Sequence, residues 1–175
     1  MAEKKAMEKL NKMPRDEAYK AFFACCGSQK YANGLADSRP FADLQELLKV
    51  SDAIWGACLK EDVLEAFLAH PKIGDSKGAA KHGGKWAANE QKGMNEAKQG
   101  TAEAMAQGNE DYEKKMGFRY IVCATGKSAE EMLAILQGRI GNDPVTELAN
   151  GKAEQNKITH LRLNKLVSEL SGASL

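Results

Sequence analysis

Three side chains in this sequence stand where a charged or titratable group is unexpected on an apolar helix, and each is equipped for proton or anion chemistry. The first is His70. In EDVLEAFLAH, Val63, Leu64, Phe67 and Leu68 fall within an arc of about 140° at about 100° per residue, the pattern of a core-facing helix. Pro71 disfavours helical backbone at the residue before it, so the helix should stop at His70, with the imidazole at the edge of the apolar arc. There the negative end of the helix dipole favours the protonated ring. A histidine so held is an acid–base group for neutral pH; a ring that only caps the last helix carbonyls also accounts for it.

The second is Arg162. On a helix it is surrounded by Ile158, Leu161, Leu163 and Leu166, so its guanidinium needs a partner or a ligand. The planar fork suits a carboxylate, which makes an anionic substrate one candidate. An internal ion pair or an arginine reaching out to solvent are the others. The third is Glu90, one helical turn from both Trp86 and Met94 in WAANEQKGM. A carboxylate drawn toward an apolar face could accept a proton or bind a urea-like pair of NH groups, although most helix glutamates are simply solvated.

Other chemistries find less support. GGKW at residues 83–86 has the Gly-Lys of a phosphate loop without its spacing, and Trp stands where Ser or Thr should meet magnesium. His70, His82 and His160 form no HxxxH or HExxH pair, so no metal site is expected. Cys25, Cys26, Cys58 and Cys123 lack CxxC spacing and read as reduced, packed thiols. Cys25 and Cys26 have no base placed beside them by any motif.

The elements that must position these residues are helical: apolar residues recur at helical spacing, β-branched runs are few and there are only four prolines. The expected fold is all-α, a single compact multi-helix domain spanning residues 1–175. Ser128 and Glu131 form a capping box opening a helix over MLAILQGRI, which GND at residues 141–143 would close. A last helix should cover much of AEQNKITHLRLNKLVSEL, with weaker signals in RDEAYKAFFACC and DLQELLKVSDAIWGACL. IGDSKGAAKHGGK, residues 73–85, reads as a loop. FRYIVCA, residues 118–124, has no partner strand and is expected to be an irregular or helix-leading core segment.

The chain has 175 residues, 43% of them hydrophobic, enough for one sizeable core, and its formal net charge is +1, from 25 Lys+Arg against 24 Asp+Glu. No overall field would hold a polyanion, so neither nucleic acid nor a membrane surface is expected as a partner. MAEKKAMEKLNKMP offers no apolar run of the kind a secretory signal needs. No segment approaches the roughly 20 apolar residues of a spanning helix. The terminal SGASL is not the SKL address. Cytoplasm is the expected location.

Taken in order, FFACCGSQKYANGLADSRPF, AHPKIGD, the EQ pair, YIVCATGKS and RIGNDPVTELANGKAEQNKITHLRL make the chain similar, over almost its whole length, to the 2-oxo-4-hydroxy-4-carboxy-5-ureidoimidazoline (OHCU) decarboxylases. Those enzymes complete urate oxidation to (S)-allantoin. The resemblance implies an all-helical decarboxylase with no cofactor and no metal, often a homodimer, whose partner is a small ureido-imidazoline substrate. It makes His70 the catalytic histidine, Pro71 its substrate-lining neighbour, Glu90 and Gln91 the EQ pair, and Arg162 the substrate-binding arginine. Tyr120, Ile121, Val122, Cys123 and Ala124 match a stretch that lines the site. At Ala87 the family often has Ser, so a hydroxyl contact is missing at that substrate-binding position. A related ureido-imidazole acid is therefore an alternative substrate. The competing reading from another class is a non-catalytic helical interaction domain, in which His70 caps a helix, Arg162 has an internal ion pair and the glycine-lysine loop docks a partner; convergence of the candidate residues discriminates the two.

Overall fold

The computed structural model describes residues 1–75, 85–95 and 97–172, and all the regular structure among them is helical. The loop expected at residues 73–85 falls mostly outside the described residues, as does His82. The chain divides into two compact units, Met1–Ala66 with Asn156–Leu175, and Phe67–Gln155.

In the first unit, α1 (Ala2–Lys12) buries Ala6, Met7 and Leu10, and α2 (Arg15–Cys25) buries Ala18, Phe22 and Cys25. Then α3 (Gln29–Asp37) starts at Ser28, whose hydroxyl accepts from the Tyr31 backbone N–H, and packs against both α2 and α4 (Leu44–Ala57). The Tyr31 hydroxyl shares a 2.6 Å hydrogen bond with Ser51 in the core, so the one polar atom of that ring is satisfied where it is buried. All four cysteines are free and buried. Burial pushes the Cys26 thiol far above its ordinary value, which makes it inert as a nucleophile.

The helix before His70 is α5 (Lys60–Leu68). Its buried positions are Val63, Ala66 and Phe67, while Leu68 is 70% exposed. The expected arc was thus rotated: Val63, Ala66, Phe67 and His70 follow the i, i+3, i+4, i+7 pattern, and the imidazole lies on the buried face instead of at its edge. Small Ala66 carries this face without standing out in a hydrophobicity pattern.

In the second unit, two short helices, α6 (Ala87–Glu90) and α7 (Lys92–Asn95), precede α8 (Gln99–Met116). Residues 118–124 then run without regular structure into α9 (Ala129–Arg139), opened by the expected Ser128/Glu131 capping box. The core gathers Ile73, Met105, Tyr112, Met116, Tyr120, Val122, Ala124, Met132 and Leu136. The last helix, α10 (Pro144–Ser171), begins well before the expected segment. Asp143 caps it by accepting from the Thr146 N–H at 2.9 Å, and Pro144 occupies the first turn, where its missing donor costs nothing.

Within α10, Gly151 meets the Phe67 ring: a Cβ there would lie 2.8 Å from Cζ and 3.1 Å from Cε2. Phe67 is buried and packed on Phe118 at 5.8 Å between ring centroids, so it cannot yield cheaply. Gly151→Ala is therefore expected to destabilise by about 1–2 kcal/mol, overpacking exceeding the helix-propensity gain. A thermal melt should show a fall of about 2–8 °C; an unchanged or raised Tm would contradict this contact.

Candidate functional site

The HPKIGD turn is pinned by side chains, as a stretch of backbone outside helices must be if its polar groups are to be satisfied. Arg119 donates through Nη1 to the carbonyl of His70 at 2.5 Å and reaches that of Leu68 at 3.5 Å, closing the C-terminus of α5. Its Nε pairs with Glu113 at 3.3 Å, and Glu113 also pairs with Lys72. The helix carbonyls that His70 was a candidate to cap are thus served by arginine. Asn109 on α8 donates to the Ile73 carbonyl at 2.8 Å. Gly74 has φ +89°, a left-handed conformation that glycine adopts without steric cost, and its N–H donates to Gln91 Oε1 at 3.1 Å. The Gln91 oxygen is therefore committed to the turn, and its amide NH2 is the end left for a ligand.

The frame holds the turn through its main chain and does not use the imidazole. His70 is 9% exposed, and its Nε2 lies 2.5 Å from Oε1 of fully buried Gln155 on α10. Glu90, also 9% exposed, ends α6, whose first residue, Ala87, is buried. The expected approach of Glu90 to an apolar face is what the fold produces.

Residues 120–124 carry the third component. Core membership alternates along the segment: Tyr120, Val122 and Ala124 belong to the core cluster, while Ile121 and Cys123 are buried outside it. The Tyr120 hydroxyl donates to the Met132 carbonyl at 3.1 Å, so that ring serves the core. With no strand among the described residues to pair with, the segment satisfies its backbone with side chains. Arg139 Nη1 donates to the Ile121 carbonyl at 2.7 Å, Cys123 N–H donates to Glu154 at 3.2 Å, and Lys127 donates to the Cys123 carbonyl at 2.7 Å. Burial raises the Cys123 thiol above its ordinary value, and the carboxylates of Glu154 and Glu90 add to the rise against the opposing charge of Lys127. Glu154, bonded to the Cys123 backbone, precedes Gln155, the partner of His70.

His70, Glu90, Gln91 and residues 120–124 all lie within the unit Phe67–Gln155. Pro71 is buried beside His70. Arg162 belongs to the other unit; it is 6% exposed and donates to the Ala24 carbonyl at 3.3 Å. Of its expected neighbours Ile158, Leu163 and Leu166 are buried, but Leu161 is 37% exposed, so the apolar stripe is narrower than the sequence suggested. Sequence reasoning missed Gln155, Asn109 and Arg119. For Gln155 a signal existed, since it precedes buried Ile158 by three residues and Thr159 by four and so shares their helical face. Among the described residues, no group of three or more His, Cys, Asp and Glu side chains could hold a metal ion. None of the described helices is long and apolar enough to cross a membrane.

A family model described as OHCU decarboxylase matches residues 11–164. The uric acid degradation bifunctional protein TTL of Arabidopsis thaliana is 34% identical over 148 residues, covering 83% of this chain and 46% of that protein. The 2-oxo-4-hydroxy-4-carboxy-5-ureidoimidazoline decarboxylase of Amia calva is 28% identical over 131 residues, 75% of this chain and 65% of that one. The match thus spans less than two thirds of the length of either relative. Among solved structures, a crystal structure of OHCU decarboxylase in the presence of (S)-allantoin superposes with a TM-score of 0.75 at 34% identity, covering 84% of this chain and 96% of that one. With the family model matching most of its length and the fold agreeing, this chain belongs to the OHCU decarboxylase family.

Proposed function

We propose that the chain decarboxylates 2-oxo-4-hydroxy-4-carboxy-5-ureidoimidazoline to (S)-allantoin, a step of urate degradation, as a carboxy-lyase independent of cofactors and acting in the cytoplasm. The observation that carries this reading is the buried His70 held by Gln155, in a chain of this family. The relatives' names and the (S)-allantoin of the matching crystal structure support the same substrate class. We propose a homodimer, and a single domain over residues 1–175, on the resemblance alone.

The chemistry asks little of the protein beyond placement and charge. When the bond to the carboxyl group breaks and CO2 leaves, the electron pair left on the ring carbon forms a double bond to its neighbour. The adjacent C=N π pair moves onto nitrogen, which takes up a proton. The substrate is its own electron sink, so the groups required are those that bind, orient and move protons. In our reading His70 exchanges protons with the substrate hydroxyl or with the decarboxylated intermediate. Glu90 and the NH2 of Gln91 hold the polar edges of the ureido group and ring, Glu90 accepting from N–H and Gln91 donating to a carbonyl oxygen. Arg162 holds an anionic or carbonyl part of the substrate. Pro71, Ile121 and Cys123 wall the site, and Ala87 supplies a small apolar surface where a hydroxyl would add a contact.

Substrate generated from urate by urate oxidase and hydroxyisourate hydrolase should disappear at a rate proportional to added protein; a rate independent of protein would end the proposal. Arg162→Ala should raise KM by about 10–100-fold, the loss of one charge-assisted contact of about 1.5–3 kcal/mol. Unchanged kinetics in that variant would make the arginine purely structural.

A further inference from the structure

We infer that Gln155 is a positioning residue that fixes the tautomer of His70, keeping the proton on Nε2 and making Nδ1 the nitrogen that takes up and releases a proton. The inference rests on the functional reading above for its catalytic consequence, but its structural half stands alone. An amide oxygen can only accept a hydrogen bond. With Gln155 Oε1 2.5 Å from His70 Nε2, the bond forms only when Nε2 carries hydrogen, and the neutral ring is then basic at Nδ1. Both side chains are buried, His70 at 9% and Gln155 at 0% exposure, so water is a poor substitute for the amide. The ring's own backbone is held independently, its carbonyl by Arg119 and its N–H by the Phe67 carbonyl at 3.2 Å. The turn therefore does not need Gln155 to stay in place, and what the amide adds is the choice of nitrogen and the plane of the ring.

Gln155 is a neutral partner, and the turn that carries the ring has charged groups in Arg119, on the His70 carbonyl, and Glu113, shared between Arg119 and Lys72. A carboxylate in place of the amide would set a negative charge against the ring and would favour the imidazolium.

The test is a long-range 1H–15N correlation spectrum of 15N-labelled protein without ligand. The chain has only three histidines, and loss of one signal set in His70→Asn assigns the ring. In the wild type His70 should show the Nε2–H pattern at high pH. Gln155→Met, close in size but unable to accept, should give a mixture of tautomers and lower kcat by about tenfold or more with little change in KM. Gln155→Glu restores the acceptor, so the Nε2–H pattern should return while the His70 titration moves up by about one pH unit or more. An Nδ1–H pattern in the wild type would overturn the assignment. So would a folded Gln155→Met variant, checked by its thermal melt, with the wild-type tautomer and kcat. A protein that lacked the proposed decarboxylation but showed these tautomer shifts would support this inference and refute the function proposed above.

Discussion

His70→Asn is expected to lower protein-dependent turnover by about 10²- to 10⁴-fold, the range that a positioned acid–base group supplies, and to leave the fold intact. Asparagine keeps a polar group beside Gln155 and has no basic nitrogen, so the variant separates proton transfer from packing. The backbone of the turn gives the expectation of an intact fold its reason. Arg119, Asn109 and Gln91 hold residues 70–74 through main-chain atoms, and none of those bonds involves the imidazole. Steady-state rates together with far-ultraviolet dichroism and a thermal melt make the comparison. A near-normal rate in the folded variant would remove the histidine from the mechanism; a collapsed melt would show that its ring is chiefly structural.

Glu147→Leu is expected to cost about 3–5 kcal/mol, a large share of the roughly 5–15 kcal/mol that holds a typical domain together. Glu147 is fully buried. It accepts from the Tyr112 hydroxyl at 2.5 Å, Arg139 Nε at 2.8 Å, Asn142 at 2.9 Å and Asn150 at 2.7 Å. Removing it leaves the Arg139 guanidinium, on a side chain only 12% exposed and 5.0 Å from the Tyr120 ring centroid, without its counter-charge. The damage should reach the site, because Arg139 also holds the Ile121 carbonyl.

The same carboxylate makes stability depend on pH. Burial alone would raise its pKa, but the hydrogen bonds from Tyr112, Asn142 and Asn150 and the charge of Arg139 hold it below the ordinary 4.5. A carboxyl depressed in the folded state stabilises fully above its unfolded value, and that contribution is lost as pH falls through the folded value. Asp37 beside Arg15, and Asp143 at the cap of α10, are depressed in the same sense. Denaturant midpoints should therefore fall for the wild type below about pH 4.5 and fall less steeply for Glu147→Gln, the two aspartates supplying what slope remains. Parallel curves for the two proteins would show that Glu147 carries none of the acid sensitivity.

Local signals were the most legible part of the sequence. The Ser128/Glu131 capping box opens α9 as expected because both of its hydrogen bonds are made within one turn. The stop before His70 was legible from Pro71, its immediate neighbour. Residues 118–124 were legible as an irregular core segment because the sequence offers no second strand to pair with them, and among the described residues there is none. Faces were harder to place. Leu68 and Leu161 are apolar but point outward, whereas Ala66 and Gln155 point inward, and side-chain polarity alone assigns such positions wrongly when packing rotates the helix. The early start of α10 was hidden by Val145, Thr146 and Gly151, all weak helix formers, and its stability comes from contacts distant in sequence, with Phe67, Tyr112 and Arg139. Of the site, His70 and Glu90 announced themselves as polar groups on apolar faces. Gln155, Arg119 and Asn109 did not, because their roles are to satisfy atoms that only the fold brings near.

The most direct test of the proposed decarboxylation follows circular dichroism while purified protein acts on freshly generated 2-oxo-4-hydroxy-4-carboxy-5-ureidoimidazoline. Spontaneous decay gives racemic allantoin and no lasting signal. The account predicts a protein-dependent dichroic signal of (S)-allantoin that persists after the substrate is spent and is absent with His70→Asn. A trace that stays on the no-protein baseline, with the protein folded, would contradict it.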